Sequence, residues 1–198
     1  QYTTELAEWD RLQQIVDGNL AKEPSSYIDA VQAINPLADI TELGSSITFQ
    51  SDDGRYVEAI LYVNDERVIP GESKTLLQSG KLSVKKMPKG QFYELYQDYV
   101  CSCILRVARE LLALLPIEMV FVRAIAELVN TQTGYKEPET ILCVAIPRAT
   151  LERLNFETID CSDALRNFVH RMSFNKLKGF SPVSPFCPKE FLSTIAKN

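Results

Sequence analysis

KGQFYELYQDYVCSCILRVARELLALL, Lys89 to Leu115, is the longest stretch of this 198-residue chain that reads as one element. Tyr93, Tyr96, Val100, Ile104, Val107, Leu111 and Leu114 recur at steps of three and four, the spacing that gathers one face of an α-helix. Leu95, Leu105 and Leu112 widen the stripe, so that Glu94, Asp98, Arg106, Arg109 and Glu110 remain for the opposite side. No proline interrupts the run, and Pro116 closes it. A helix this apolar is a core that other elements must cover, and the search for those elements proceeds outward from it.

Immediately upstream, Lys81 to Met87 alternates in period two, with Leu82 and Val84 expected inward and Lys81, Ser83 and Lys85 outward, as on a sheet edge. Asn64 to Gly80, punctuated by Pro70, Gly71 and Gly80, reads as a loop with a short extended piece at Val68 and Ile69. Further back, Ile47 and Phe49 alternate with Thr48 and Gln50. Asp52-Asp53-Gly54 then turns the chain, and Val57, Ala59, Leu61 and Val63 share one side of a second strand. The first quarter is helical. Tyr2 to Leu20 carries Tyr2, Leu6, Trp9, Leu12 or Gln13, Val16 and Leu20 along one side, with Trp9 as the expected anchor. Ser25 or Ser26 caps a second helix that runs to Ile34 and stops at Asn35-Pro36, and a short turn from Pro36 to Leu43 ends at Gly44.

Downstream of Pro116, Glu118 to Val129 and Glu139 to Ile146 are rich in β-branched and aliphatic residues and predict two antiparallel strands. Arg148 to Asn155 predicts a short helix. Asp160 or Ser162 caps another, in which Leu165, Phe168, Val169 and Met172 share a face. Gly179, Pro182, Pro185 and Pro188 punctuate the remainder, with Pro188 opening a last helix to Ala196. The expected architecture is α+β: a largely antiparallel sheet of about five strands packed on the long central helix, with helical N-terminal and C-terminal segments. We expect one domain over 1–198, divided into a helical lead-in (1–44), the sheet and central helix (45–147), and a helical, proline-rich tail (148–198).

Composition narrows the function. A 45% hydrophobic content against 24% charged residues supplies a core and argues against disorder. The formal charge of -5 opposes nucleic acid and anionic lipid unless a local basic patch overrides it. Five cysteines, an odd number in a chain able to fold without disulfides, point to a reducing, cytoplasmic setting. No run of about 20 apolar residues is present to span a bilayer. The chain opens at Gln1 without methionine, which suggests a domain of a longer protein.

No complete catalytic, metal or phosphate signature is present. His170, the single histidine, falls beside Arg171 at the end of a predicted helix, where positive charge complements the dipole. Cys101 and Cys103 stand two apart on a helix and so point to different faces, which suits buried thiols rather than metal ligands. Glu72-Ser73-Lys74 can be read as the Glu-x-Lys half of a Mg²⁺-dependent nuclease site of restriction-endonuclease-like type, with Asp53, Asp52 or Glu58 as the other carboxylate. That motif falls in a predicted loop rather than on the strand the chemistry requires. Lys81, Lys85, Lys86 and Lys89, with Arg171, Lys176 and Lys178 as a second group, are the candidate phosphate contacts of a nucleic-acid-binding module. Tyr93, Tyr96 and Tyr99 could line a ligand groove or span the boundary between core and water.

QDYVCSCILRVARELLALLP (Gln97 to Pro116), NTQTGYKEPETILCVAIPRATLERLNF (Asn130 to Phe156) and KGFSPV (Lys178 to Val183) resemble the C-terminal region of an uncharacterised group of bacterial proteins. In that group a small Gly-rich β-domain precedes a region like this one. The resemblance covers the chain from about Asn19 onward and implies no activity, cofactor or catalytic residue. The leading expectation is therefore a non-enzymatic interaction or regulatory domain of a larger bacterial protein, with a protein partner or neighbouring domain. The nuclease and the nucleic-acid module stand as alternatives.

Overall fold

The computed structural model describes residues 2–42 and 45–195. In chain order its elements are α1 (Tyr2–Leu20), α2 (Pro24–Ile34), α3 (Ala38–Glu42), β1 (Ser46–Gln50), β2 (Tyr56–Tyr62), β3 (Glu72–Leu76), β4 (Leu82–Lys86), α4 (Lys89–Leu114), β5 (Met119–Val129), β6 (Lys136–Pro147), α5 (Arg148–Leu151), α6 (Cys161–Ala164), β7 (Val169–Asn175), β8 (Gly179–Ser181) and α7 (Pro188–Ile195). Turns of 3-10 helix occupy Glu66–Val68 and Leu165–Asn167. The class is α+β, as the sequence predicts. The main sheet has six strands in the order β1-β2-β5-β6-β7-β8, and β3 and β4 form a separate two-stranded sheet.

Every neighbouring pair in the main sheet is antiparallel except β2 and β5, which run parallel with Val57 opposite Val120 and Leu61 opposite Ala124. The reason lies in the connection. Between these strands the chain makes a hairpin and the 26-residue α4, about 39 Å long, and a crossover of that length returns the next strand in the same direction.

α4 packs its stripe on one face of the sheet. Val100, Ile104, Val107 and Leu111 have no exposed surface, and they meet Val57, Ala59 and Leu61 of β2, Val120 and Val122 of β5, and Val144 and Ile146 of β6. Full burial of side chains this large is worth about 1.5–3 kcal/mol each. A bulge in β6 adds to the packing. Ala124 pairs with Leu142 and Ile125 with Thr140, so Ile141 is the extra residue, and both Ile141 and Leu142 join the buried cluster. On the opposite face a smaller cluster of Tyr56, Phe121 and Ala145 is covered by Phe186, Phe191 and Leu192 at the C-terminal end. The segment leading there is pinned. Val183 N–H donates to Thr140 O at 2.8 Å, and Arg171 Nη1 donates to the carbonyls of Ser184 and Pro185 at 3.1 and 3.0 Å.

Several expectations are corrected. β4 is a strand but leaves the main sheet, and Leu82 and Val84 are 59% and 48% exposed rather than inward. The predicted loop over Asn64 to Gly80 contains β3 and a 3-10 turn. α2 starts one residue before the expected caps: Pro24 takes its first turn with Glu23 at the cap, and Ser26 is buried inside it. Asp160 does cap α6, accepting from Asp163 N–H at 2.9 Å, but the helix is four residues long. Val169 and Met172 lie on β7, so His170 sits on a strand, its Nδ1 3.0 Å from Phe168 O, and not at a helix terminus. α5 is shorter than predicted. The stop at Leu43 and Gly44 and the helix end at Ala196 fall outside the described residues.

The largest departure concerns α1. Trp9 is 60% exposed and anchors nothing, and Leu6, Leu12, Val16 and Leu20 are exposed with it. The helix rests on α2 through the side opposite that stripe. Ile15 is half-buried, and Gly18 lies so close to Ser26 that an added Cβ would come within 1.9 Å of the Ser26 hydroxyl oxygen.

Candidate functional site

β5 runs on past the C-terminal end of β2, and a trough opens beside this overhang. Three adjoining clefts of about 640, 380 and 670 Å³ make it up. The first two share Asp65, Arg67 and Glu127, and the last two share Glu66 and Phe180, so the 3-10 turn after β2 forms the partition between them. α4 brings its N-terminal tyrosines to the wall. Tyr96 donates its hydroxyl to Asn64 O at 2.9 Å and stacks on Tyr99 with ring centroids 6.1 Å apart. Tyr93 packs against Gly179, whose φ is 78° and where an added Cβ would come within 2.9 Å of the Tyr93 ring. These tyrosines span core and water as one reading of the sequence had it, and Tyr93 and Tyr96 also line the trough.

Two neighbouring carboxyls there are driven in opposite directions. Asp65 accepts from Arg67 Nε at 2.9 and 3.0 Å and from Arg67 N–H at 3.1 Å, with Lys136 Nζ at 3.4 Å, and the Arg67 contacts carry most of its fall to about 2. Glu66 is half-buried, and loss of water raises its proton affinity, with the charge of Asp65 adding to the effect. The stability consequences have opposite signs. Asp65 stabilises the fold above its ordinary value of 3.8, and that contribution disappears as pH falls toward 2. Ionised Glu66 costs stability at neutral pH, and the cost disappears once the group is protonated in both states, below 4.5. Thermal melts should accordingly find Glu66→Gln raised slightly at pH 7 and unchanged near pH 3, and Asp65→Asn lowered at pH 7 and unchanged near pH 2. A Glu66→Gln midpoint below that of the parent at pH 7 would refute the burial account.

The residues singled out from sequence are not gathered into one centre. β3 does place Glu72 and Lys74 on a strand, contrary to the predicted loop, but on an exposed hairpin whose feet, joined by Met87 N–H to Gly71 O at 2.9 Å, stand beyond the C-terminal end of β2. Asp53 lies before the other end of β2, about 20 Å away along a seven-residue strand, and is held by the Arg55 guanidinium at 2.6 Å. Among the described residues no group of three or more His, Cys, Asp or Glu side chains could hold a metal ion. Cys101 is buried and Cys103 half-buried, and burial pushes both thiols up. Lys81, Lys85 and Lys86 belong to the exposed hairpin and Lys89 opens α4. In the second basic group, Arg171 is committed to the C-terminal segment and Lys176 pairs with Glu94. Among the described residues no helix is long and apolar enough to cross a membrane.

Two features escaped the sequence reading. One is the Asp65–Glu66 pair, whose signal is adjacency to the end of a buried strand. The other is the hairpin itself, marked by Leu76 and Leu82 flanking a turn in which Gly80 adopts a φ of 74°. No protein-family model, curated protein or solved structure matches the chain.

Proposed function

We infer that this chain is a non-enzymatic protein-interaction domain of a larger cytoplasmic bacterial protein, and that α1 is its recognition element. One observation carries the reading: the only tryptophan of the chain, Trp9, is 60% exposed in line with Leu6, Val16 and Leu20, on a helix whose residues 5–14 are all exposed. Isolated helices of this length are marginal in water, and burying a side chain of this class recovers about 1.5–3 kcal/mol, so docking on a partner would stabilise helix and complex together. The trough, by comparison, has its best-placed carboxylate, Asp65, already neutralised by Arg67 and Lys136, and offers no nucleophile held by a base.

A photo-reactive amino acid at Leu12, introduced in the host bacterium, should give adducts that disappear with Trp9→Glu. The same group at exposed Glu157 should give none. Equal labelling from both positions, or none from Leu12, would remove the interaction reading.

A further inference from the structure

Among the described residues, α1 and the β3–β4 hairpin each leave an apolar face uncovered, and the two faces carry opposite charge. On α1, Leu6, Trp9, Gln13, Val16 and Leu20 follow the alternating three-and-four spacing of a heptad seam. Glu5, Asp10 and Asp17 border that seam, and the lone basic residue of the helix, Arg11, falls on the opposite side. On the β3–β4 hairpin, Leu76 pairs with Leu82 and Lys74 with Val84, so these four side chains share one face, with Leu77 exposed at the tip. Lys74 and Lys86 lie on that face and Lys81 adjoins it, while Glu72, the single acidic residue of the segment, stands opposite Lys86 at the foot of the face and leaves it net basic. Leu76 is 71% exposed and Leu82 59%, which a two-stranded sheet with no third strand cannot cover by itself.

The dimensions agree as well. The stripe from Leu6 to Leu20 is about 21 Å long at 1.5 Å per residue, and five-residue strands extend about 17 Å. Resting on the interaction reading above, we propose that the occupant of α1 is the β3–β4 hairpin of a second copy of this chain, the acidic seam lying across the basic apolar face. Homotypic pairing of α1 with α1 would instead set Glu5, Asp10 and Asp17 against one another. Because the two patches differ, the contact is head-to-tail. It leaves one free seam and one free hairpin at the ends, so copies add in succession until a ring closes.

Sedimentation velocity of the purified chain over a concentration series tests this. The average mass should rise with concentration at low salt and fall back toward the monomer near ~1 M salt, where charges are screened beyond ~3 Å. Trp9→Glu and, separately, Val84→Glu should each weaken association on the order of tenfold or more. Both positions are exposed, and circular dichroism checks that the variants fold; the K74E/K86E variant repeats the hairpin test without touching an apolar residue. The decisive sample is the equimolar mixture of Trp9→Glu and Val84→Glu chains. One retains an intact hairpin and the other an intact seam, so the mixture should stop at a dimer. A wild-type chain that stays monomeric throughout, a blue-shifted Trp9 emission in a monomer, which would mean docking within one chain, or a mixture that forms no dimer would each overturn the proposal. In the cellular cross-linking experiment, an adduct at Leu12 to a different protein with no self-adduct would keep the interaction reading and reject self-assembly. Absence of any adduct would reject both.

Discussion

Leu111→Ala should destabilise the protein by about 2–5 kcal/mol, read as a drop in the denaturation midpoint at unchanged slope. Leu111 has no exposed surface and sits in the cluster where α4 meets the sheet. Truncation removes its transfer free energy and leaves a cavity, since strands on one side and a rigid helix on the other restrict collapse. Leu95, on the same helix but 39% exposed, provides the contrast: Leu95→Ala should cost well under about 1 kcal/mol. Similar losses for the two variants would mean that α4 does not carry the core as described.

Arg148→Ala should cost about 3–5 kcal/mol, a large effect for a residue at the surface edge. Its guanidinium donates from Nη2 to Leu115 O at 2.7 Å and from Nε to Ile117 O at 2.9 Å. Leu115 and Ile117 are buried, and they follow the C-terminus of α4, where carbonyls are left without partners and the helix dipole favours positive charge. Each hydrogen bond to a charged group is worth about 1.5–3 kcal/mol, and removing the donor strands a buried acceptor. The link to Glu152 at 3.4 Å is exposed and adds little. Arg148→Lys should recover part of the loss but not both bonds, because an ammonium lacks the planar fork that reaches two carbonyls. Chemical denaturation of the two variants measures the difference; equal stability of Arg148→Ala and the parent would refute the capping role.

How far the sequence revealed this depended on whether one period or two fitted each segment. α4 was legible because Tyr96 to Leu112 satisfies only the helical spacing over many turns. β7 was not, because Leu165, Phe168 and Met172 match steps of three and four while Phe168, His170, Met172 and Phe174 match steps of two. Burial follows the latter set, as the strand is held by pairing with β6. The departure of β4 from the main sheet was hidden for another reason: alternation in Leu82 and Val84 shows a strand with an apolar face, not what covers it. Trp9 follows the same rule on a helix. At the trough, Asp65 is lowered mainly by Arg67, two residues further on, and Glu66 is raised by loss of water; that burial and the approach of the distant Lys136 to Asp65 are matters of topology that spacing along the chain does not encode.

The parallel seam between β2 and β5 also sets an order in time. β1 and β2, β5 and β6, and β7 and β8 are each joined by short loops, and the longer connection from β6 to β7 is itself folded into α5, α6 and a 3-10 turn, so each group can assemble from residues near in sequence. Val57 and Val120 meet only after everything from Val63 to Glu118 has been looped out, and the entropy of closing that loop is spent before any contact repays it. Two preassembled halves docking along one late seam is the route this topology dictates. Pulse-labelled hydrogen exchange during refolding should therefore protect the β5–β6 amides before those that join β2 to β5, and simultaneous protection would show that the seam is part of the nucleus.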